Sequence, residues 1–273
     1  MSSLRLRLEL LAVVLGLATP ALAQVDPAET DPVKIMTAVQ NRADGDKTRA
    51  RMVMTIADAA GRERTRAVQS RSLQFPEGKR QILVFDDPVD VKGTGLLSID
   101  YDDGDKDDDQ WLYLPSLHKT TRISSGEKSG SFMGTAFSYA DMTEQDPKHW
   151  EYTLLQASVQ SDGEDCWLIE ARPKTTKAAD ETGYVKTQTL ISKAKMLPLK
   201  VKAWVKKGKK IKLIAFEDIK QVDGIWVAHT LKAKIMKGDE LDLSTVIKFA
   251  ELSFNNADVE ESLFTQIQLE KGL

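Results

Sequence analysis

From residue 49 onward the chain alternates apolar and polar positions with a period of two. Met52, Met54 and Ile56 take one side of the alternation, Arg51, Val53 and Thr55 the other, and Ala59-Ala60-Gly61 reads as a turn before residues 62–72. The same pattern predicts strands over 80–85, 95–99, 110–114, 119–123, 152–159, 166–171, 184–192, 198–205, 209–216, 225–236 and 241–254. Asp162-Gly163, Lys207-Gly208, Asp223-Gly224 and Gly238-Asp239 sit between runs at hairpin distance. Before residue 49 the period is helical. Asp31-Pro32 offers a cap and a proline at the first helical position, Val33, Met36, Val39 and Gln40 follow, and Asp44-Gly45-Asp46 stops the element. A second helical piece is predicted over 136–145.

So many successive strands joined by short turns specify an antiparallel meander rather than a parallel α/β sheet. A long antiparallel sheet has to curl or close, and the two helical pieces are available to cover its concave face. The expected class is α+β, mainly β: an incomplete antiparallel β-barrel with helices covering the concave face. No repeat, linker or low-complexity stretch divides residues 24–273, so one domain is expected there.

Residues 1–23 read differently. Two arginines, an apolar run over 8–17 and Pro20-Ala21-Leu22-Ala23 have the order of a secretory signal peptide cut before Gln24. The rival reading is a membrane anchor, but the run is about half the roughly 20 apolar residues a bilayer crossing needs. The only cysteine is Cys166, so no lipid-bearing cysteine follows the cut, and the mature protein is expected to be exported and not lipidated.

Composition narrows the chemistry. Over 273 residues, 38 Lys and Arg face 41 Asp and Glu, a net charge of −3 that argues against nucleic acid as partner. One cysteine excludes an intrachain disulfide framework and thiolate-rich metal sites. His118, His149 and His229 are isolated, there is no Gly-x-Ser-x-Gly elbow, and Gly126-Glu127-Lys128-Ser129 lacks the glycine that precedes the lysine of a phosphate loop. We therefore expect no enzyme, no catalytic residues, no metal and no cofactor. Seven carboxylates in the ten residues 100–109 read as a solvated hairpin tip, with a calcium site as the alternative. Between Thr182 and Phe216 ten lysines occur with no acid, as in Lys200-Val201-Lys202-Ala203. They form a solvated sheet surface or a docking face for anionic lipid head groups or an acidic partner.

The segment 85–150 is the most distinctive. Gly93-Thr94-Gly95-Leu96-Leu97 leads to Trp111-Leu112-Tyr113-Leu114-Pro115-Ser116-Leu117, then Thr121-Arg122-Ile123, then Ser131-Phe132-Met133-Gly134-Thr135-Ala136-Phe137-Ser138-Tyr139-Ala140-Asp141-Met142. It resembles the LolA-like family of periplasmic outer-membrane lipoprotein-sorting proteins, in the branch found beside large hydrophobic-compound exporters. Ala136 stands where that family commonly has Asp and Ala140 where it commonly has Glu, while Asp141 remains. The resemblance implies a periplasmic monomer with a half-barrel. It also implies a carrier that holds acyl chains of a lipid or lipoprotein in a hydrophobic cavity, for outer-membrane sorting or hydrophobic-compound transport. An inner-membrane exporter or outer-membrane acceptor would be a further partner.

On that reading Trp111 and Tyr113 share one strand face and line an apolar wall. Arg122 anchors the lid, pairs with a lipid phosphate, or makes a rim salt bridge. Phe132, Met133, Phe137 and Tyr139 give an adaptable apolar surface or plug the core. Met52, Met54, Trp150, Trp204 and Phe216 join the candidate lining, although alternation does not say whether the face they share is hollow or filled. The alternative function is a non-enzymatic periplasmic accessory or sensor that docks an exporter or envelope regulator.

Overall fold

The computed structural model describes residues 25–273; the expected signal peptide over 1–23 and the cut before Gln24 lie outside the described residues. Helix α1 (Pro32–Gln40) starts where Asp31 accepts hydrogen bonds from the Val33 and Lys34 amides at 2.9 and 3.3 Å. All the predicted strands are present. They are β1 (Lys47–Asp58), β2 (Glu63–Phe75), β3 (Gly78–Asp87), β4 (Gly95–Tyr101), β5 (Asp109–Leu114), β6 (Lys119–Arg122) and β7 (Trp150–Ser161). The rest are β8 (Glu164–Pro173), β9 (Tyr184–Ser192), β10 (Leu197–Val205), β11 (Lys210–Val222), β12 (Ile225–Lys237) and β13 (Glu240–Phe254). Two short helices, α2 (Thr176–Thr182) and α3 (Gln266–Lys271), fall outside the predicted elements because neither reaches the length at which a 3.6-residue period shows.

The strands form one antiparallel sheet in the order β6-β5-β4-β3-β2-β1-β13-β12-β11-β10-β9-β8-β7. It is two meanders joined at a seam where the first strand pairs with the last, Met54 opposite Ile247 and Ile56 opposite Thr245. The edge strands β6 and β7 are consecutive in sequence, so residues 123–149 must cross from one edge to the other. They do so over the inner face. Gln110 on β5 donates to the Tyr139 carbonyl, and Lys212 on β11 reaches the Asp141 carboxylate two residues later. In a flat sheet those strands would lie about 34 Å apart at ~4.8 Å per strand, so the sheet curls around the crossing segment as an open half-barrel.

The crossing segment is not the predicted helix over 136–145. Residues 132–134 and 139–142 are single 3-10 turns separated by extended Thr135 and Ser138, with Met133 at φ 49°. Side-chain oxygens win over helical bonds here: Ser131 Oγ donates to the Thr135 carbonyl at 2.6 Å, and Asp141 accepts from the Ser138 amide at 2.7 Å. The Phe132 amide donates to the Phe137 carbonyl, folding the stretch into a small loop.

The inner face therefore carries two covers. Helix α1 seats Ile35 against Trp167, Ile169 and Ile191 on β8 and β9. The crossing loop seats Phe132, Ala136 and Phe137 among Met52, Met54, Val68, Phe85 and Ala233. A third cover lies on the opposite, outer face, where the tail from Val259 to Leu269 packs on Leu73, Ile82, Val84 and Leu97 of β2–β4. Gly95 lets α3 approach the sheet closely: a Cβ there would stand 2.5 Å from Leu269 Cδ1.

Candidate functional site

The lid, residues 123–149, is bound to the sheet by side chains from several strands. Arg66 on β2 donates to the Met133 carbonyl at 2.6 Å, Thr245 on β13 accepts from the Ala136 amide at 2.9 Å, and Gln110 donates to the Tyr139 carbonyl at 3.0 Å. The strongest anchor is ionic. Asp141 accepts from Tyr184 of β9 at 2.5 Å and from Lys212 of β11 at 2.6 Å, and Lys212 also donates to the Tyr184 hydroxyl at 2.8 Å. Burial, followed by the Asp141 charge, holds the Tyr184 hydroxyl well above the ordinary tyrosine range. Lys128, buried at 2% exposure, pairs with Glu181 at the end of α2. Gln110 is fully buried, and its Oε1 finds no partner among the described residues.

Under these anchors the inner face is filled. The Phe132 ring stands 5.8 Å from Phe85 and 5.6 Å from Tyr139, with Met133 and Met142 packed alongside. Met52, Met54 and Phe137 are buried in the same cluster. Trp150 packs with Ala171, Tyr184 and Ala203, and Phe216 lies opposite Leu231 on the inner side of β11 by register. Burial of Tyr139 raises its hydroxyl above the usual range.

Four expected lining residues lie elsewhere. Trp111 and Tyr113 do share a face, but it is the outer one, beneath Phe264 and Leu269 of the tail, because Leu112 and Gln110 take the inner side. Arg122 stands opposite Trp111 on that outer side and is paired with Asp109 as a cross-strand surface ion pair. Trp204 is also outward, with the Lys186 and Lys202 ammonium groups 4.4 and 4.9 Å from its ring. Conversely, Lys212 belongs to the lysine-rich stretch yet points inward, on the parity of Ile214 and Phe216, and Tyr184, Gln110 and Thr245 were not foreseen as anchors. The inward parity of Lys212 was the one signal available.

The acidic tip also departs from a freely solvated hairpin. It folds across the end of the half-barrel, with Asp107 paired to Lys177 of α2 and Asp105 to Lys148 at 3.2 Å. It encloses a polar cavity of about 680 Å³ lined by Asp100, Asp108, Glu144, Lys79 and Lys128, among others. Burial and the neighbouring Asp108 charge push the Asp100 carboxyl up to about 8, and burial raises Asp108 as well.

The overall fold recurs in solved structures. A domain from Vibrio parahaemolyticus named as an outer-membrane lipoprotein-sorting protein is 31% identical, with a TM-score of 0.78 over 88% of this chain and 98% of its own. The chain belongs to the LolA-like outer-membrane lipoprotein-sorting family. A DUF1329 family protein from Desulfovibrio piger is 28% identical at the same TM-score, over 88% of this chain and all of its own. A LolA-superfamily protein from Nitrosomonas europaea shares the fold at 16% identity and a TM-score of 0.65, over 88% and 99% of the two chains. A family model described as "Uncharacterized protein" matches residues 77–271. No curated protein matches the chain. Within the LolA-like family the alanines at 136 and 140 have a physical setting here: both are 3% exposed, one taking Thr245 at its amide and the other donating to the Lys128 carbonyl. Asp141 is the lid carboxylate that meets Lys212 and Tyr184.

Proposed function

We propose that this protein is a non-enzymatic periplasmic carrier that receives the acyl chains of a lipid or lipoprotein on its inner face when the lid over 123–149 lifts. The observation that carries this reading is the make-up of the lid. It is a loop of short turns whose Phe132, Met133, Phe137 and Tyr139 cover an apolar sheet face while polar contacts hold it down. An acyl chain that takes the place of those side chains exchanges one apolar contact for another, so the apolar burial of the sheet is retained. The net cost is confined to the anchors, among them the hydrogen bond from Gln110 to the Tyr139 carbonyl. Asp141, Tyr184 and Lys212 then serve as a latch rather than a reactive group: they are bonded to one another, with Tyr184 and Lys212 buried and Asp141 half-buried.

The name of the relative at 31% identity supports sorting at the outer membrane as the setting. Among the described residues no helix is long and apolar enough to cross a membrane. Native mass spectrometry of protein isolated from the periplasm is expected to show acyl-bearing adducts, released in greater amount by D141N, which weakens the latch. Wild-type and variant masses free of any adduct would sink the carrier reading. A constant protein partner captured by crosslinking in intact cells, without cargo, would favour the accessory role instead.

A further inference from the structure

Among the described residues, nothing packs over the outer face of β8–β12. The lid and α1 lie on the inner face, and the tail stops over β2–β4. Its side chains follow from register. On β11, Leu213 and Ala215 point outward in succession. Lys202 and Lys200 stand beside them on β10, and Lys234 and Lys232 on β12. A track of apolar side chains thus runs along one strand between two pairs of lysines. Leu168 and Leu190, paired across β8 and β9, extend the apolar floor, and the whole encloses a groove of about 520 Å³. Leu213 is 39% exposed there.

The charges are available. Lys202 and Lys234 are exposed and in no ion pair among the described residues. Lys200 and Lys232 are paired with Asp162 and Glu217 at 2.8 and 2.6 Å, but every partner in those two pairs is more than two-fifths exposed, so water screens the pairs and they exchange readily for another anion. One row further along, Trp204 lies between Lys186 and Lys202. Lysine stems lying along apolar surface with ammonium heads spread above it, beside an outward tryptophan, are the composition of a membrane interface.

The geometry points to this face as a docking surface for a bilayer carrying anionic phospholipid head groups. The lysine pairs engage phosphates while Leu213 and Trp204 enter the head-group layer. An acidic protein would have to present both a carboxylate at each lysine and an apolar ridge for the track, whereas an anionic bilayer supplies both across its whole surface. The inference does not rest on the carrier reading, since docking needs neither an open lid nor bound cargo.

Co-sedimentation of the purified protein with vesicles tests it. The protein is expected to pellet with phosphatidylcholine vesicles containing phosphatidylglycerol, to be released as salt is raised, and to stay in solution with phosphatidylcholine alone. K202E/K234E, at two exposed positions outside the packed core, should lower the partition coefficient roughly tenfold or more. K92E/K119E, the same charge change at exposed lysines off this face, should change it little. Equal melting curves for the three proteins establish that folding is intact. No pelleting at low salt, equal binding to neutral vesicles, unchanged binding by K202E/K234E, or an equal loss in K92E/K119E each overturns the proposal. So does capture of an acidic protein by this face when anionic vesicles are not bound.

Discussion

Strands β2–β5 and β8–β12 belong to one sheet with one period, yet they are covered in different ways. In the first group the lid packs on the inner face and the tail on the outer, so Ile82-Leu83-Val84-Phe85 are all buried. In the second group the described residues cover only the inner face, and Lys200 and Lys202 alternate with Val201 and buried Ala203. A continuous apolar run marks a strand buried on both faces, and a clean alternation marks a strand with one face in water. The two covers of the first group also differ in chemistry. The outer one is apolar contact through Val259, Phe264 and Leu269, whereas the lid adds hydrogen bonds from Arg66 and Gln110 and, where it continues over β9 and β11, the ion pair of Asp141 with buried Lys212.

The largest effect is expected at the inner cover. D141A leaves Lys212 charged and buried without its partner and should cost about 3–5 kcal/mol in urea unfolding, and D141A/K212M should recover much of that loss. If the double variant is as unstable as the single one, ionic anchoring does not distinguish the covers. The outer cover comes next. L269A should cost about 2–5 kcal/mol because its side chain is wholly buried, while L213A on the uncovered face should stay within about 0.5 kcal/mol. Equal losses would break the contrast between the two groups of strands.

A smaller effect depends on pH. Burial raises the Asp100 carboxyl from 3.8 to about 8, so the folded protein holds a proton that the unfolded chain releases near pH 4. That contribution is full below about pH 4 and falls steadily as pH rises to about 8. D100N should therefore melt above wild type at pH 8, with the gap closing toward pH 4; a constant gap would show that titration is not the cause. The smallest effect is at the rim, where R122A should change stability by no more than about 1 kcal/mol, since its ion pair with Asp109 leaves the Arg122 side chain 59% exposed.

The strands were legible because alternation and turn residues agree along the whole chain, and the half-barrel followed from their number. Which face was inner was less so. Trp111 and Tyr113 share a side by spacing alone, but Leu112 and Leu114 are equally apolar, and only the tail decides that the aromatic pair faces outward. Lys212 was hidden among lysines that do face water, because the turn after β10 reverses which parity is inner. The helix expected over 136–145 failed because the Ser131, Thr135 and Asp141 side chains offered the backbone nearer partners. The acidic tip was recognised as a hairpin, but its attachments to Lys148 and Lys177 join residues far apart in sequence that local pattern does not connect.

The seam between β1 and β13 sets an order of assembly. Every other strand pair is a neighbour in sequence, whereas this one brings together residues 48–58 and 243–254, which closes a loop on the order of 200 residues. Local hairpins form ahead of contacts at such separation, so two independent ribbons precede the finished half-barrel. Since β13 follows the other twelve described strands in the chain, a chain cut before Glu240 would lose more than one strand's worth of sheet. It would leave β1 and β12 as two open edges with nothing to join them.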